Sequence, residues 1–293
     1  MSDITVFFRE MPDFMRNAAL AGILCSIACG SMGSLAVVNR MVMFAGGIAH
    51  AAYGGVGLAF FLALSPFPVI LCFSLCMAFL MAFFTLRKQD RADAIIGAIW
   101  SGGMAMGIVL LDLTPGYNVD LMTYLFGSMV AVPASELWLM AGMNVLILFA
   151  LFLFSNQFVL LSYDREMALM KGVPVTFLHF LLVGLMTCAV VITMRAVGLL
   201  LVIALFSIPP HMAEKYCRSI WSMMLLSSIL SMVFTICGIW LSYVYNISAG
   251  ATIILLASIA FGLENLVSVC FKNRLKRPEG GIPQDRCEIT HHP

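Results

Sequence analysis

One histidine, His50, stands alone in the uncharged stretch "FAGGIAHAAYGGVGLAFFLAL", residues 44–64. Gly46 and Gly54 fall four positions to either side of it, so on a helix the three share one face, with Gly57 beside them. An imidazole is the commonest ligand for zinc and similar ions. Polar groups at this depth in an apolar segment are costly and mark function. Glycines around it would clear a wall and let an ion, or another backbone, approach. The same spacing also suits a packing groove of small residues, with His50 bonded to a neighbouring helix. The residues alone leave both readings open.

Other candidates are weaker. Cys25/Cys29 and Cys72/Cys76 are i, i+4 pairs able to face one ion, and in helices rich in small residues they also serve as packing groups. The 22 methionines are scattered and form no Met-xxx-Met cluster that would mark a copper path. Asp112 and Asp120 flank a segment without basic residues and would attract cations, though a solvated turn explains them equally well. Glu264 lies in the inner half of an apolar run, within reach of an interface. His291 and His292 read as part of a solvated tail. The sequence has no HExxH, GxSxG or GxxxxGK[ST] motif, so it offers no protease, hydrolase or nucleotide-binding machinery. Such a chain handles a substrate without transforming it.

These residues need a scaffold that can hold them in an apolar medium. Of 293 residues 62% are hydrophobic and 11% charged, with a mean hydropathy of +1.01. That excludes an ordinary soluble domain and requires an all-α, multi-pass membrane protein. No secretory leader is expected from the first residues, and the nine cysteines do not suggest a disulfide framework. A bilayer core takes about 20 apolar residues per helix. Spans are predicted at 17–38, 42–64, 67–86, 92–112, 137–160, 175–194, 197–212, 220–243 and 250–270, separated by polar punctuation. Residues 120–132 are too short to cross and are expected to lie at the outer surface or dip in.

Basic residues set the orientation. Thirteen of the sixteen Lys and Arg fall on one set of loops: Arg40, Arg87/Lys88/Arg91, Arg165/Lys171, Lys215/Arg218 and the tail from Lys272 onward. That side is the cytoplasm. Nine spans then put the N-terminus outside. The expected organisation is a membrane domain over 1–271 and a cytoplasmic tail over 272–293.

On the cytoplasmic side, "SYDREMALMKGVP", residues 162–174, reads as a short interfacial helix. Gly172 suits its C-terminal stop and Pro174 a fresh start. Met167, Ala168 and Met170 form an apolar patch that Asp164, Arg165 and Glu166 rim with charge, the pattern of a partner site.

Four stretches in order carry a resemblance: "GSMGSLAVVNRMVMFAGGIAHAAYGGVGLAF", "VDLMTYLFGSMVAV", "YDREMALMKGVP" and "AVGLLLVIALFSIPPHMAEKY". Over roughly residues 15 to 270 the chain resembles the permease subunits of bacterial ABC importers for zinc, manganese or iron(II), relatives of the vitamin B12 and siderophore permeases. The resemblance implies a homodimer in the bacterial plasma membrane, with the path along its two-fold axis. It implies two copies of a separate ATPase subunit inside and a metal-binding protein outside. Residues 163–172 would be the coupling helix, with Asp164, Arg165, Glu166, Ala168 and Gly172 at the ATPase and Ala168 at closest approach. Gly46, Gly54, Gly57, Gly198, Pro209 and Pro210 would line the path, the two prolines ending the span that begins near residue 197. No nucleic acid and no permanent cofactor are implied; the divalent metal is cargo.

One departure bears on the cargo. The family often has an aspartate four residues before the histidine, where this chain has Gly46. A site of neutral ligands favours nitrogen-preferring zinc over oxygen-preferring manganese, unless an acid such as Asp120 joins His50. The sequence therefore points to zinc, with manganese or iron(II) as the alternative. A metal-chelate permease and an ATP-independent carrier or channel are the other readings; inverted repeats or buried acids would favour the last, and neither is visible.

Overall fold

The computed structural model describes residues 13–87, 92–114, 133–163 and 165–275. Asp120, the 120–132 segment, Asp164 and the tail beyond 275 lie outside the described residues. The described residues form helices and no strands: α1 Asp13–Val38, α2 Val42–Phe61, α3 Pro66–Arg87, α4 Ala92–Asp112, α5 Ala134–Leu153, α6 Ser155–Tyr163, α7 Arg165–Met170, α8 Val175–Val197, α9 Leu199–Glu214, α10 Ile220–Tyr245 and α11 Ala249–Leu275. Eight of them, α1 to α5, α8, α10 and α11, are long and apolar enough to cross a membrane. The shorter α9, also apolar, reaches about 24 Å at the usual helical rise. The chain is an all-α, multi-pass membrane protein.

Helix ends follow from local chemistry. After α1, α2, α7 and α10 the chain turns through a residue at positive φ, namely Arg40, Ala63, Gly172 and Asn246. At each, the following N–H donates to a carbonyl five residues back, as Met41 does to Ala36 and Val173 to Ala168. Gly172 therefore ends its helix in the left-handed conformation expected of it, at φ 73°. Between α8 and α9 the whole connection is Gly198, at φ 91° and ψ 162°, a region that only glycine enters readily.

Three expectations are corrected. The predicted span 137–160 is divided: α5 closes at Leu153 and α6 begins at Ser155, because Ser155, Asn156 and Gln157 end the apolar run. The prolines do not end α9, which continues through Pro209 and Pro210 to Glu214. Each proline removes one helical N–H, freeing the carbonyls of Leu205 and Phe206 from that bond. Gly33 of α1 lies against this notch: a Cβ there would sit 2.8 Å from Phe206 O and 2.8 Å from the Pro210 ring. Packing thus holds the helix through its break. The last helix also runs four residues past the expected boundary, to Leu275.

The core has two sheaves. α2 packs along α3 and α4, and α1 packs along α9 and α10; α8 touches members of both. Buried polar side chains join helices across the core, as expected where lipid offers no hydrogen bonds. Asn144 Nδ2 of α5 donates to Leu24 O of α1, and Ser26 of α1 meets Thr235 of α10.

At one end of the bundle, a cleft gathers the Arg40 turn, Leu86, Ala92, Ser162 and Val175. Asn39 Nδ2 donates to Ser162 Oγ at 2.9 Å across it. Segments beside three of the loops that the basic residues assign to the cytoplasm therefore meet at one end of the molecule.

Candidate metal path and coupling helix

His50 lies near the middle of α2 and is partly exposed. Its ring stacks on the Trp100 indole of α4, with centroids 4.4 Å apart and planes 11° from parallel. Its Nδ1 is buried with no hydrogen-bond partner. The stack holds the ring by its face and does not itself engage the ring nitrogens. Among the described residues, no group of three or more His, Cys, Asp or Glu is placed to hold a metal.

The glycines around His50 divide into two kinds. A Cβ on Gly46 would meet nothing within 4 Å, so that side of the imidazole is open. At Gly54 a Cβ would fall 2.6 Å from Gly103 O and 2.7 Å from the Phe73 ring; at Gly57 it would fall 2.2 Å from Gly107 O. Gly54 and Gly57 therefore let α4 and α2 approach backbone to backbone. For these two, the packing reading describes what the structure shows, and the cleared wall expected on this side of His50 is filled by α4. Gly198, Pro209 and Pro210 are buried inside the chain.

The cysteine pairs stay apart from His50's ring contacts. Cys25 and Cys29 are buried in α1, where Cys29 Sγ contacts Thr193 Oγ1 of α8 at 3.9 Å. Cys72 and Cys76 are exposed on α3, lining an apolar recess with Leu58, Pro68 and Phe73. Asp112 is exposed at the end of α4.

Two ion pairs bracket the α8–Gly198–α9 unit. At the end that loop charge assigns to the outside, Arg195 pairs with Glu136 at the start of α5, and its guanidinium lies 5.4 Å from the Phe67 ring centroid. Sequence reasoning missed Glu136, which sits one residue outside the predicted span. At the inner end, Lys215 Nζ is 3.4 Å from Glu264 and donates to Asn265 Oδ1 at 2.8 Å. Hydrogen bonding to Glu264, then its charge, holds the neighbouring Tyr216 phenol above its ordinary pKa. His211, which pairs with Glu214 at 3.4 Å on this same end of α9, was also not singled out.

The predicted short helix is present as α7, Arg165–Met170, followed by the Gly172 turn. Glu166, Met167, Leu169 and Met170 are exposed, Met170 at 80%. Ala168 is 0% exposed. The expectation that Ala168 stands at closest approach to a partner is corrected: α7 packs on α6 and α8, and Ala168 is the residue buried in that seat. Leu169 and Met170 present the outward apolar surface.

The family model described as the ABC 3 transport family matches residues 11–268. The chain belongs to the ABC 3 transport family. An uncharacterised membrane protein of Synechocystis sp. is 48% identical over 89% of this chain and 91% of its own length. A manganese transport system membrane protein of Halalkalibacterium halodurans is 30% identical over 90% of this chain and 91% of its own length. Among solved structures, PsaBC from Streptococcus pneumoniae in complex with Fab superposes with a TM-score of 0.79 at 30% identity, covering 90% of this chain and 95% of that one. Family membership agrees with the resemblance carried by the four sequence stretches, and the match spans α1 to most of α11.

Proposed function

We propose that this chain is the membrane permease subunit of an ATP-driven manganese importer of the bacterial plasma membrane. The observation that carries the cargo is the full-length similarity to a relative named for manganese transport. The zinc preference drawn from Gly46 finds no such support and gives way to the manganese alternative. The permease itself hydrolyses nothing; a separate ATPase subunit, in two copies, supplies that step. An extracytoplasmic metal-binding protein delivers the ion.

The site fits a transient stop. One imidazole with an open Gly46 flank holds an ion weakly, and release matters as much as capture in a transport path. A homodimer facing through this flank would add a second His50, giving two nitrogen ligands, with water or an acid completing the oxygen-rich set that manganese prefers. Alternating access would then be driven from the cytoplasmic end through α7.

The test is uptake of radioactive manganese into vesicles holding the permease, its ATPase and its binding protein, with zinc and iron(II) as competitors. Saturable, ATP-dependent manganese uptake that His50→Ala abolishes is the expected result. Uptake of zinc but not manganese would return the cargo to the zinc reading.

A further inference from the structure

The cytoplasmic cleft is a cavity of about 600 Å³ between the α1–α2 turn, the end of α3, the start of α4, the end of α6 and the start of α8. Its size lies within the range of small-molecule sites. Its wall is mixed. Arg40, Asn39, Ser162 and Tyr163 supply polar groups, while Leu86 and Val175 belong to its apolar part. None of the described lining residues is a carboxylate.

Arg40 decides the sign of the ligand. It is exposed and makes no ion pair among the described residues. It also sits at φ 56°, at a helix-end position where glycine or asparagine is the usual occupant. A non-glycine residue held there is strained, and such strain collects at ligand sites. A transported cation would be repelled from this cleft. An anion would be held.

We infer that this cleft binds the phosphate of an anionic phospholipid from the cytoplasmic leaflet. The Asn39 amide and the Ser162 hydroxyl already donate within the chain, so the chemistry is a phosphate against an arginine with the Tyr163 hydroxyl on the same wall, which would suit a free phosphate equally. Depth favours the lipid. The cleft reaches Phe44 on α2, Thr85 on α3 and His179 one turn into α8, below the ends of membrane-crossing helices. A headgroup there leaves its chains beside apolar wall, which a free anion cannot use. Basic pockets between helices on the cytoplasmic side bind acidic headgroups in this way. The inference is independent of which ion the permease carries.

The experiment uses the full chain in nanodiscs of equal phosphatidylglycerol and phosphatidylcholine, released into mild detergent and weighed by native mass spectrometry. The wild-type protein should retain phosphatidylglycerol in preference to phosphatidylcholine. Arg40→Gly suits the left-handed turn and removes only the guanidinium; it should lower that preference about fivefold, the scale of one basic group at a membrane surface. Arg40→Lys should keep most of it. Millimolar inorganic phosphate should displace little lipid; full displacement would assign the cleft to a free anion and overturn the lipid. Equal retention by wild type and Arg40→Gly would overturn the inference. So would unchanged lipid retention accompanied by loss of ATPase binding, which would make the cleft a protein-docking surface.

Discussion

The His50 imidazole and the Trp100 indole lie 4.4 Å apart in a nearly parallel stack that ties α2 to α4 at the candidate ligand. Such a pair contributes about 0.5–1.5 kcal/mol beyond burial, enough to fix a ring without occupying its nitrogens. Trp100→Ala should therefore lower metal uptake by about twofold to tenfold, and Trp100→Phe should restore most of it. His50→Ala should abolish uptake while the protein still inserts. Equal, full uptake in both alanine variants would remove this pair from the path. The measurement is initial-rate uptake at matched membrane abundance.

Gly46 and Gly57 should respond in opposite ways to a methyl group. Gly57→Ala forces a Cβ to within 2.2 Å of Gly107 O, backbone that cannot yield cheaply. Overpacking of this kind costs about 1–3 kcal/mol, and the thermal midpoint in detergent should fall. Gly46→Ala meets nothing within 4 Å and should leave the midpoint unchanged. Gly46→Asp uses the same space to put a carboxylate on the face of His50, and should tighten manganese binding relative to zinc. A lower midpoint for Gly46→Ala would show that this flank is not open.

Much of this was legible in the sequence because a bilayer imposes length and apolarity on each helix. Most of the spans and the left-handed Gly172 stop follow from runs of apolar residues and one glycine. What was not legible depends on tertiary neighbours. Gly54 and Gly57 look like a cleared wall until α4 fills it with Gly103 and Gly107. Pro209 and Pro210 look like a helix stop until Gly33 packs over the freed carbonyls. A six-residue helix is too short for periodicity to tell its buried face from its exposed one, so Ala168 was placed on the wrong side. Glu136 is a single acid at a predicted helix edge, and its partner lies 59 positions away.

At α7, the candidate coupling helix, the correction reverses which residues should matter for docking. Leu169→Asp and Met170→Asp alter exposed positions, so each should weaken co-purification of the ATPase without changing permease abundance. Ala168→Trp drives bulk into a filled seat and should destabilise the permease itself, by about 1–3 kcal/mol or more. Gly172→Val places a β-branched residue at φ 73° and should also lower stability, by about 1–3 kcal/mol. Normal ATPase binding by both aspartate variants would separate α7 from coupling.

The outer ion pair offers a test of how the α8–α9 elbow is held. Arg195 is three residues before Gly198, the one-residue joint whose backbone angles only glycine enters readily. Its guanidinium is fastened to Glu136 on α5 and lies over Phe67 on α3, so three helices meet at one charge. Both side chains are about a quarter exposed, which leaves the pair stronger than a solvated one and weaker than one in the core. Charged hydrogen bonds in such settings contribute about 1.5–3 kcal/mol. Glu136→Gln should therefore destabilise the protein by a value in that range and strand a positive charge near the outer membrane surface. Arg195→Gln should do so less, because a carboxylate at the start of α5 keeps the favourable field of the helix N-terminus. The exchange Glu136→Arg with Arg195→Glu should recover part of the loss by restoring the pair, though not all, since it sets a positive charge at that N-terminus. The measurement is a double-mutant cycle of thermal midpoints in detergent, read beside uptake. A coupling energy near zero would mean that the two side chains meet without holding the elbow.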